Sequence, residues 1–295
     1  MSHSTVERRN RHQRGGPEAL ADRPCRPDRV WNRIADATRE QIVELALAEP
    51  ELSPRELAVR FTDQQRYFVS EASVYRLLKA HDLIASPAYI VVKAAEAFHT
   101  QTTAPNQLWQ TDFTYLKVIG WGRFYLSTVL DDFSRYIIAW KLCSSMAASD
   151  VTDTLEMALA ASGCAQARVR HRPRLLSDNG PCYIAGELAQ WLDKQAMDHV
   201  RGAPCHPQTQ GKIERWHQTL KNRILLENYY LPGDLEAQIK AFVEHYNHQR
   251  CHESLRNLTP ADVYFDRGHT ILLDRERIKR QTIQQRRLLH QQHAA

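Results

Sequence analysis

The chain has 295 residues, 43% of them hydrophobic, which is enough to bury a substantial core and suggests one to three structural units. Its 39 Lys and Arg against 34 Asp and Glu give a net charge of only +5, so the position of the charges matters more than their sum. The six cysteines are scattered without a C-x-x-C pair, and no apolar run approaches the ~18 residues of a membrane span, which argues against a zinc ribbon, a disulfide framework and a membrane protein and predicts a soluble cytoplasmic one.

Both ends of the chain are basic. Residues 1–33 hold eight Arg against four acids and are rich in Arg, Pro and Gly, so we expect a mostly disordered tail there. Residues 267–295 hold seven Lys or Arg against two acids and are predicted to be a basic helical tail. Basic tails often contact polyanions, and the alternative is that they only aid solubility.

Three short helices are predicted over residues 34–83. The first, "DATREQIVELALAEP", has apolar residues at helical spacing and ends at Pro50. The second begins at Ser53, an N-cap residue followed by proline, and the third begins at Ser70 in "SEASVYRLLKAHDL". This arrangement predicts a helix-turn-helix DNA-binding domain, and a plain three-helix bundle is the alternative. The side chains of the third helix that we expect to face DNA are Tyr75, Arg76 and Lys79.

Residues 84–106 are predicted to be a linker, because they contain Pro87 and Pro105 and few apolar clusters. After the linker, β-branched and aromatic residues alternate with short turns, which predicts an antiparallel meander. Trp109, Trp121 and Trp140 are expected in its core. The three strands are expected at Trp109–Val118, Phe124–Leu130 and Tyr136–Leu142.

Helices and strands alternate after the meander. "SDVTDTLEMALAAS" is predicted to be a helix capped by Ser149, "RPRLLSD" a strand, "AGELAQWLDKQAM" a helix and "DHVRGAP" a strand. Further helices are expected at about 212–226 and 234–250, and "TPADVYF" is predicted to be a short capped helix. Together these elements predict an α/β domain over residues 107–266, with one mixed sheet flanked by helices.

Two acids occur at strand positions of this sheet. Asp112 lies within the apolar stretch "LWQTDFTYL", where a charge is costly unless it is paired or metal-bound; the alternative is a solvent-facing strand position. Asp178 follows the strand "RLL" and begins "DNGP". Ligands of α/β sheets bind near the carboxyl ends of strands, although Asp-Asn-Gly is also ordinary turn sequence.

A third acid, Glu214, lies within the amphipathic basic helix that follows the loop "APCHPQTQG". Three carboxylates from two strands and a helix are able to hold one or two Mg²⁺ ions for in-line phosphodiester chemistry. The alternative is an exposed helix face with a salt bridge. On the metal-binding interpretation, the bases of the helix would contact DNA phosphates, and these are Lys212, Arg215, Lys221 and Arg223.

The three acids and their flanks resemble a known motif. Asp112 in "WQTDFTYL", Asp178 in "LLSDNGP" and Glu214 in "HPQTQGKIERWHQTLK" resemble the DDE motif of retroviral-type integrases and bacterial IS3-family transposases. Thirty-five residues, 179–213, separate the second acid from the third, which is similar to the D,D(35)E spacing of that family. "LDDFSRYIIAW" and "YNHQRCHESLRNLTPADVYF" are also similar to it. The resemblance covers about 100–266 and, more loosely, 35–83.

The resemblance implies a ribonuclease H-like core that cleaves and joins insertion-sequence ends with two Mg²⁺ or Mn²⁺ ions. Asp112, Asp178 and Glu214 become the catalytic metal ligands, and Lys221 becomes a DNA contact. The resemblance also implies a mobile active-site loop from His206 to Gly211, which includes Gln208 and Gln210. The His-His-Cys-Cys zinc module of retroviral integrases is missing, since the first 80 residues hold one Cys, so no zinc is expected.

The partners that the resemblance implies are terminal inverted repeats, target DNA and further copies of the chain in a homo-oligomer on DNA. The implied location is the nucleoid of a bacterial cytoplasm, without a membrane partner. In many IS3 elements a separate upstream frame adds DNA-binding and coiled-coil segments. Because this chain has no leucine heptads, an upstream-frame partner or a longer fusion is expected.

Two other functions stay open at this stage. One is a ribonuclease H-like nuclease that hydrolyses DNA without joining it, which the integrase-like flanks and the two basic ends disfavour. The other is a DNA-binding protein without catalysis, which does not need the three acids in order. His217 is a minor candidate as a further metal ligand, whereas Asp131 and Asp132 are expected to shape a hairpin turn.

Overall fold

The computed structural model describes residues 30–84, 102–164, 172–202 and 210–292, and none of the helices within them is both long and apolar enough to cross a membrane. In chain order the elements are α1 (Asp36–Ala48), α2 (Pro54–Gln65), α3 (Glu71–Ala80), β1 (Leu108–Val118), β2 (Gly122–Asp131), β3 (Ile137–Cys143), α4 (Ala148–Ser162), β4 (Arg174–Ser177), α5 (Pro181–Ile184), α6 (Gly186–Lys194), β5 (His199–Arg201), α7 (Gly211–Ile224), α8 (Pro232–His248), a 3₁₀ turn (Glu253–Leu255), α9 (Pro260–Tyr264) and α10 (Gly268–Gln292).

The second and third of the N-terminal helices begin where their capping residues predict. Ser53 and Glu56 form a capping box, in which each side chain accepts a hydrogen bond from the other residue's backbone N–H. The Ser70 side chain accepts from the N–H of Ser73 in the same manner. The apolar sides of the three helices meet in one small core, whose fully buried members include Ile42, Leu57, Phe61 and Val74.

The central sheet is mixed, as predicted, and its described strands have the order β3-β2-β1-β4-β5. The first three strands form an antiparallel meander, whereas β4 and β5 run parallel to β1. The short strand β4 pairs with β1 only along Leu108–Gln110. Within the described residues, the edge of β1 from Thr111 to Val118 therefore has no neighbouring strand, and we call it the open edge.

Helices cover both faces of the sheet. Helix α7 packs Ile213, Trp216 and Leu220 against the face that carries Leu116 and Val118. The opposite face carries Trp109, Val129 and Leu175 and is covered by α4 and α6. A sheet buried between two helical layers is the architecture that the alternating sequence pattern predicts.

Two details of the prediction are wrong. Helix α4 begins before Ser149, and Ala147 is its N-cap residue. Ala147 has no capping side chain, and only the reciprocal half of a capping box is present, in which the carboxylate of Asp150 accepts the Ala147 N–H at 3.2 Å. Trp121 is 63% exposed, because it lies in the turn of the β1–β2 hairpin, beyond the reach of either helical layer.

The basic tail is helical, as predicted, and α10 packs along the N-terminal helices. Arg275 forms a bidentate pair with Asp63, with nitrogen–oxygen distances of 2.6 and 2.9 Å. Arg286 is buried and donates hydrogen bonds to the Tyr67 hydroxyl, the Asn32 side chain and the Phe68 carbonyl. Several bases of this tail are therefore engaged inside the protein, where they attach α10 to the N-terminal helices.

A buried amide attaches α8 to the outer strand β3. Asn247 is 3% exposed, accepts the Ile137 N–H at 2.9 Å and donates to the Ile137 carbonyl at 3.0 Å. Its side chain thereby makes the two hydrogen bonds that a further strand would make at this position. The β2–β3 register shifts next to Ile137, so the amide supports the sheet where its own ladder is irregular.

We predict that Asn247→Ala lowers the free energy of unfolding by about 2–4 kcal/mol, because it leaves a buried N–H and a buried carbonyl without partners. Urea denaturation followed by circular dichroism measures this loss. The control is Asn222→Ala, which removes an exposed hydrogen bond with Gln218 within α7. Equal stabilities for the two variants would contradict the assigned role of Asn247.

Candidate active site

Asp112 lies on β1 and is the second residue of the open edge. Its side chain is 23% exposed. One carboxylate oxygen accepts the N–H of Phe113 at 2.8 Å, and the other lies 3.4 Å from Nδ1 of His217 on α7. The carboxylate of Asp112, a charged group that is unusual in an apolar strand, therefore lies between a backbone donor and an imidazole. The rest of its surface is open to solvent.

The sequence predicts His217 only as a minor candidate metal ligand and does not predict its contact with Asp112. His217 is buried, and its Nε2 has no hydrogen-bond partner among the described residues. The signal was its position three residues after Glu214, which places both side chains on one face of α7. That spacing does not reveal that the face is turned toward Asp112.

Asp178 follows the last residue of β4, next to β1, as the sequence predicts. Its carboxylate accepts the N–H of Gly180 at 2.9 Å in a tight turn. A Cβ on Gly180 would lie 3.0 Å from that same oxygen, so glycine permits the turn to close. Desolvation is the largest cause that raises the pKa of the Cys182 thiol. The negative charges of Asp178 and Asp112 raise it further.

Glu214 is in the first turn of α7. Its side chain as a whole is exposed, but partial desolvation raises the pKa of its carboxyl, and the negative charge of Asp112 raises it further. His217 and Arg215 oppose this shift with positive charge. Glu214 and Asp112 thus lie close enough to repel each other, which is the electrostatic condition that a bound cation relieves.

The described residues contain no group of three His, Cys, Asp or Glu side chains gathered closely enough to hold a metal ion. Asp112 is linked to Asp178 through their shared effect on Cys182 and to Glu214 through direct repulsion. Asp112 therefore lies near each of the other two acids, and the three are not closed around a common point. Carboxylate oxygens in this number are the ligands that Mg²⁺ takes in proteins.

Two of the four bases predicted to contact DNA are engaged within the protein. Lys212 lies 2.9 Å from a carboxylate oxygen of Asp132 and donates to its carbonyl at 2.8 Å. Arg223 pairs with Glu51, in the turn between α1 and α2, at 2.8 Å. Arg215 is exposed beside Glu214, and the ammonium of Lys221 lies 4.6 Å from the centre of the Tyr115 ring.

A buried network fixes the first turn of α7. Gln110 of β1 accepts the N–H of Ile213 at 3.1 Å and donates to Asp132 at 2.8 Å. Asp132 also holds Lys212, so its role extends beyond the hairpin turn predicted for it. Asp131 keeps the predicted turn role, because its carboxylate accepts hydrogen bonds from both the N–H and the hydroxyl of Ser134.

The loop before α7 is described only at its end. Gln210 is buried and Gly211 begins the helix, whereas His206 and Gln208 lie outside the described residues. On α3, Val74 and Leu77 face the small N-terminal core, so the opposite side of the helix faces solvent. The three candidate DNA-binding side chains of that helix are exposed, and they are Tyr75, Arg76 and Lys79.

The sequence and the fold match known proteins. Residues 102–207 and 195–260 match two families, each described as an integrase core domain, and residues 3–78 match a homeodomain-like domain. The transposase for insertion sequence element IS629 of Shigella sonnei is 29% identical over 58% of this chain and 57% of its own length. The Gag-Pro-Pol polyprotein of squirrel monkey retrovirus is 36% identical over 41% of this chain and 6% of its own length.

The fold is similar to that of a solved integrase complex. A chain in the cryo-EM structure of the simian T-cell lymphotropic virus intasome with a PP2A regulatory subunit matches 76% of this chain and 74% of its own, with a TM-score of 0.50 and 19% identity. This likeness supports the ribonuclease H-like fold of the core. The chain therefore carries an integrase core domain after a homeodomain-like domain, and its sequence is similar to that of insertion-sequence transposases.

Proposed function

We propose that this protein catalyses the metal-dependent cleavage and strand transfer of insertion-sequence ends, with Asp112, Asp178 and Glu214 as a DDE triad. The observation that carries the proposal is the contact between the Asp112 carboxylate of β1 and His217 of α7, because His217 lies one helical turn after Glu214. A lone structural carboxylate does not need a second one beside it, whereas a cation site does.

The element on which each acid lies supports this function. Asp112 is within the central strand β1, Asp178 is at the carboxyl end of the parallel neighbour β4, and Glu214 is on the helix packed across β1. The first two acids are thus carried by paired strands and the third by a helix fixed to the same strand through Gln110. Side chains on rigid elements hold a catalytic geometry better than side chains on loops.

The residues divide the chemistry as follows. Asp112, Asp178 and Glu214 would hold Mg²⁺ or Mn²⁺, and two bound ions would activate the attacking oxygen and stabilise the leaving one. His217 orients the carboxylate of Asp112 through its Nδ1. Arg215 and Lys221 bind the phosphates on either side of the scissile one, where positive charge supplies affinity without reading sequence.

The DNA partners are proposed from the same features. The exposed side of α3 would bind the terminal repeats of the element through Tyr75, Arg76 and Lys79. Joining two DNA molecules requires that both be held at once, so we propose that the active form is a homo-oligomer assembled on DNA. Membership of the IS3 group, with an upstream-frame partner or a longer fusion, is part of the same proposal.

We expect Asp112→Asn, Asp178→Asn and Glu214→Gln each to lower strand cleavage and strand transfer at least about 100-fold, because changing even an outer partner of a metal site costs roughly 10–100-fold. DNA binding should change little. The measurement is a gel assay with labelled element ends and a target plasmid, run in Mg²⁺ and in EDTA.

The controls for this assay are Asp193→Asn and Glu187→Gln, which alter exposed acids of α6 far from the site. Strand transfer by the triple variant at the level of these controls would contradict the proposal. Cleavage without joining by the unaltered protein would instead support the nuclease alternative. Specific DNA binding without either reaction would support a protein that only binds DNA.

We predict that His217→Ala lowers the strand-transfer rate about 10–100-fold, because Asp112 loses the partner that orients it. His217→Asn retains a donor near the position of Nδ1 and should recover most of that rate. A purely structural role of the buried ring would make the two variants equally slow, with equal losses in melting temperature.

We also predict a pH-dependent stability effect at Glu214. Its pKa is raised above the 4.5 of a free carboxyl, so the folded protein binds this proton more tightly than the unfolded chain does. The resulting stabilisation is present at acidic pH and is lost as the pH rises through the raised pKa. In EDTA, Glu214→Gln should therefore melt higher than the unaltered protein at pH 7, and the difference should shrink toward pH 4.

This experiment compares melting temperatures of the two proteins across that pH range, with Glu187→Gln as the matched exposed variant. Adding Mg²⁺ at pH 7 should stabilise the unaltered protein more than Glu214→Gln. An unchanged difference across the pH range would show that Glu214 is not repelled by its neighbours.

A further inference from the structure

Tyr115 lies three residues beyond Asp112 on the open edge of β1 and has cations on its ring. The ammonium of Lys221 is 4.6 Å from the ring centre, and the guanidinium of Arg123 is 5.3 Å from it. Tyr115 is nevertheless 56% exposed. A cation within about 6 Å of an aromatic face is attracted by the ring and is held in place by it.

A third cation belongs to the same surface. Lys117 follows Tyr115 by two residues and therefore points to the same face of the sheet. In the antiparallel pairing of β1 with β2, Lys117 is directly opposite Arg123. Like charges directly opposite each other destabilise a sheet, so this pair is costly unless an anion lies against it. We call Tyr115 with Lys117, Arg123 and Lys221 the tyrosine cluster.

The cations of the tyrosine cluster differ from the other bases near the site. Lys212 and Arg223 have carboxylate partners within the protein. By contrast, among the ion pairs of the described residues none involves Lys117, Arg123 or Lys221. These three cations, two of them on the Tyr115 ring and none with an acidic partner among the described residues, form a surface of positive charge at the exposed end of the hairpin.

We propose that the tyrosine cluster is a phosphate-binding track for a DNA strand, which leads from Asp112 along the open edge of β1 toward the tip of the β1–β2 hairpin. Arg123 and Lys117 bind successive phosphates beyond the one held by Lys221. Tyr115 is a positioning residue, because its ring fixes two of the three cations. That the bound DNA strand is a substrate rests on the proposed function. That the tyrosine cluster binds a DNA strand does not.

The geometry favours a nucleic-acid backbone over an acidic peptide. The cations are arranged along an extended strand and its hairpin partner, so they follow one direction rather than closing around a single anion. Phosphates recur regularly along a DNA strand, and each one that is neutralised releases counterions. Asp112 and Tyr115 are three positions apart on β1 and point to opposite faces of the strand, and Lys221, two turns after Glu214 on α7, connects the track with the candidate catalytic acids.

The test is DNA binding by the full chain in EDTA, measured by fluorescence anisotropy with a short labelled duplex of random sequence over a series of salt concentrations. Arg123→Gln and Lys117→Gln should each weaken binding several-fold at low salt. Each should also reduce the slope of log Kobs against log salt by about 0.9, the value for one phosphate contact. Lys240→Gln, which removes an exposed charge on α8, is the matched control and should change neither quantity.

The role of Tyr115 has its own readout. Tyr115→Leu should weaken binding, and Tyr115→Phe, which keeps the ring, should restore it. In the Tyr115→Leu background, Arg123→Gln should have a smaller effect than in the unaltered protein, because the ring no longer holds the guanidinium. Thermal melting confirms that all variants are folded.

The inference is overturned if Arg123→Gln and Lys117→Gln match Lys240→Gln in affinity and slope, or if Tyr115→Phe binds as poorly as Tyr115→Leu. Its failure is separable from failure of the proposed function, because binding is measured without metal. Strand transfer by the unaltered protein together with unchanged binding by Arg123→Gln would overturn the track alone. The expected loss of binding in a protein that never cleaves DNA would leave the track intact and overturn only the proposed reaction.

Discussion

The position of α7 on the sheet depends on one buried side chain, Gln110. Its amide joins the N–H of Ile213, which the first turn of a helix leaves without an internal partner, to the carboxylate of Asp132. Asp132 in turn holds Lys212. A buried network in which every member has a partner specifies one arrangement of its elements, and here it sets the distance of Glu214 from Asp112.

The open edge of β1 is the second constraint, and it follows from a difference in strand length. Strand β1 has 11 residues and β4 has four, so most of β1 extends past its parallel neighbour. Asp112 lies just past the end of that pairing, and Tyr115 lies three residues later. One face of α7 bears Glu214, His217 and Lys221, of which His217 contacts Asp112 and Lys221 contacts Tyr115. The candidate active site and the basic surface beside it are therefore two parts of one exposed strand edge.

The sequence was sufficient for most elements, because each one carries a local signal. Ser53 and Ser70 mark helix starts, and the alternation of the meander marks its strands. The helix start predicted from Ser149 is wrong because the N-cap residue is Ala147, whose N–H is bound by the side chain of Asp150. The site was predictable as three acids in order, but the contact of His217 with Asp112 and the engagement of Lys212 by Asp132 depend on long-range packing that spacing along the chain does not encode.

The attachment of α10 to the N-terminal helices has a consequence for biosynthesis. Arg286 supplies the hydrogen-bond donors for Asn32, Tyr67 and the Phe68 carbonyl, and it is translated more than 200 residues after them. In a nascent chain the N-terminal helices thus emerge from the ribosome before α10, the helix that completes their hydrogen bonding, has been made. Their hydrogen bonding to Arg286 therefore forms only after α10 has been synthesised.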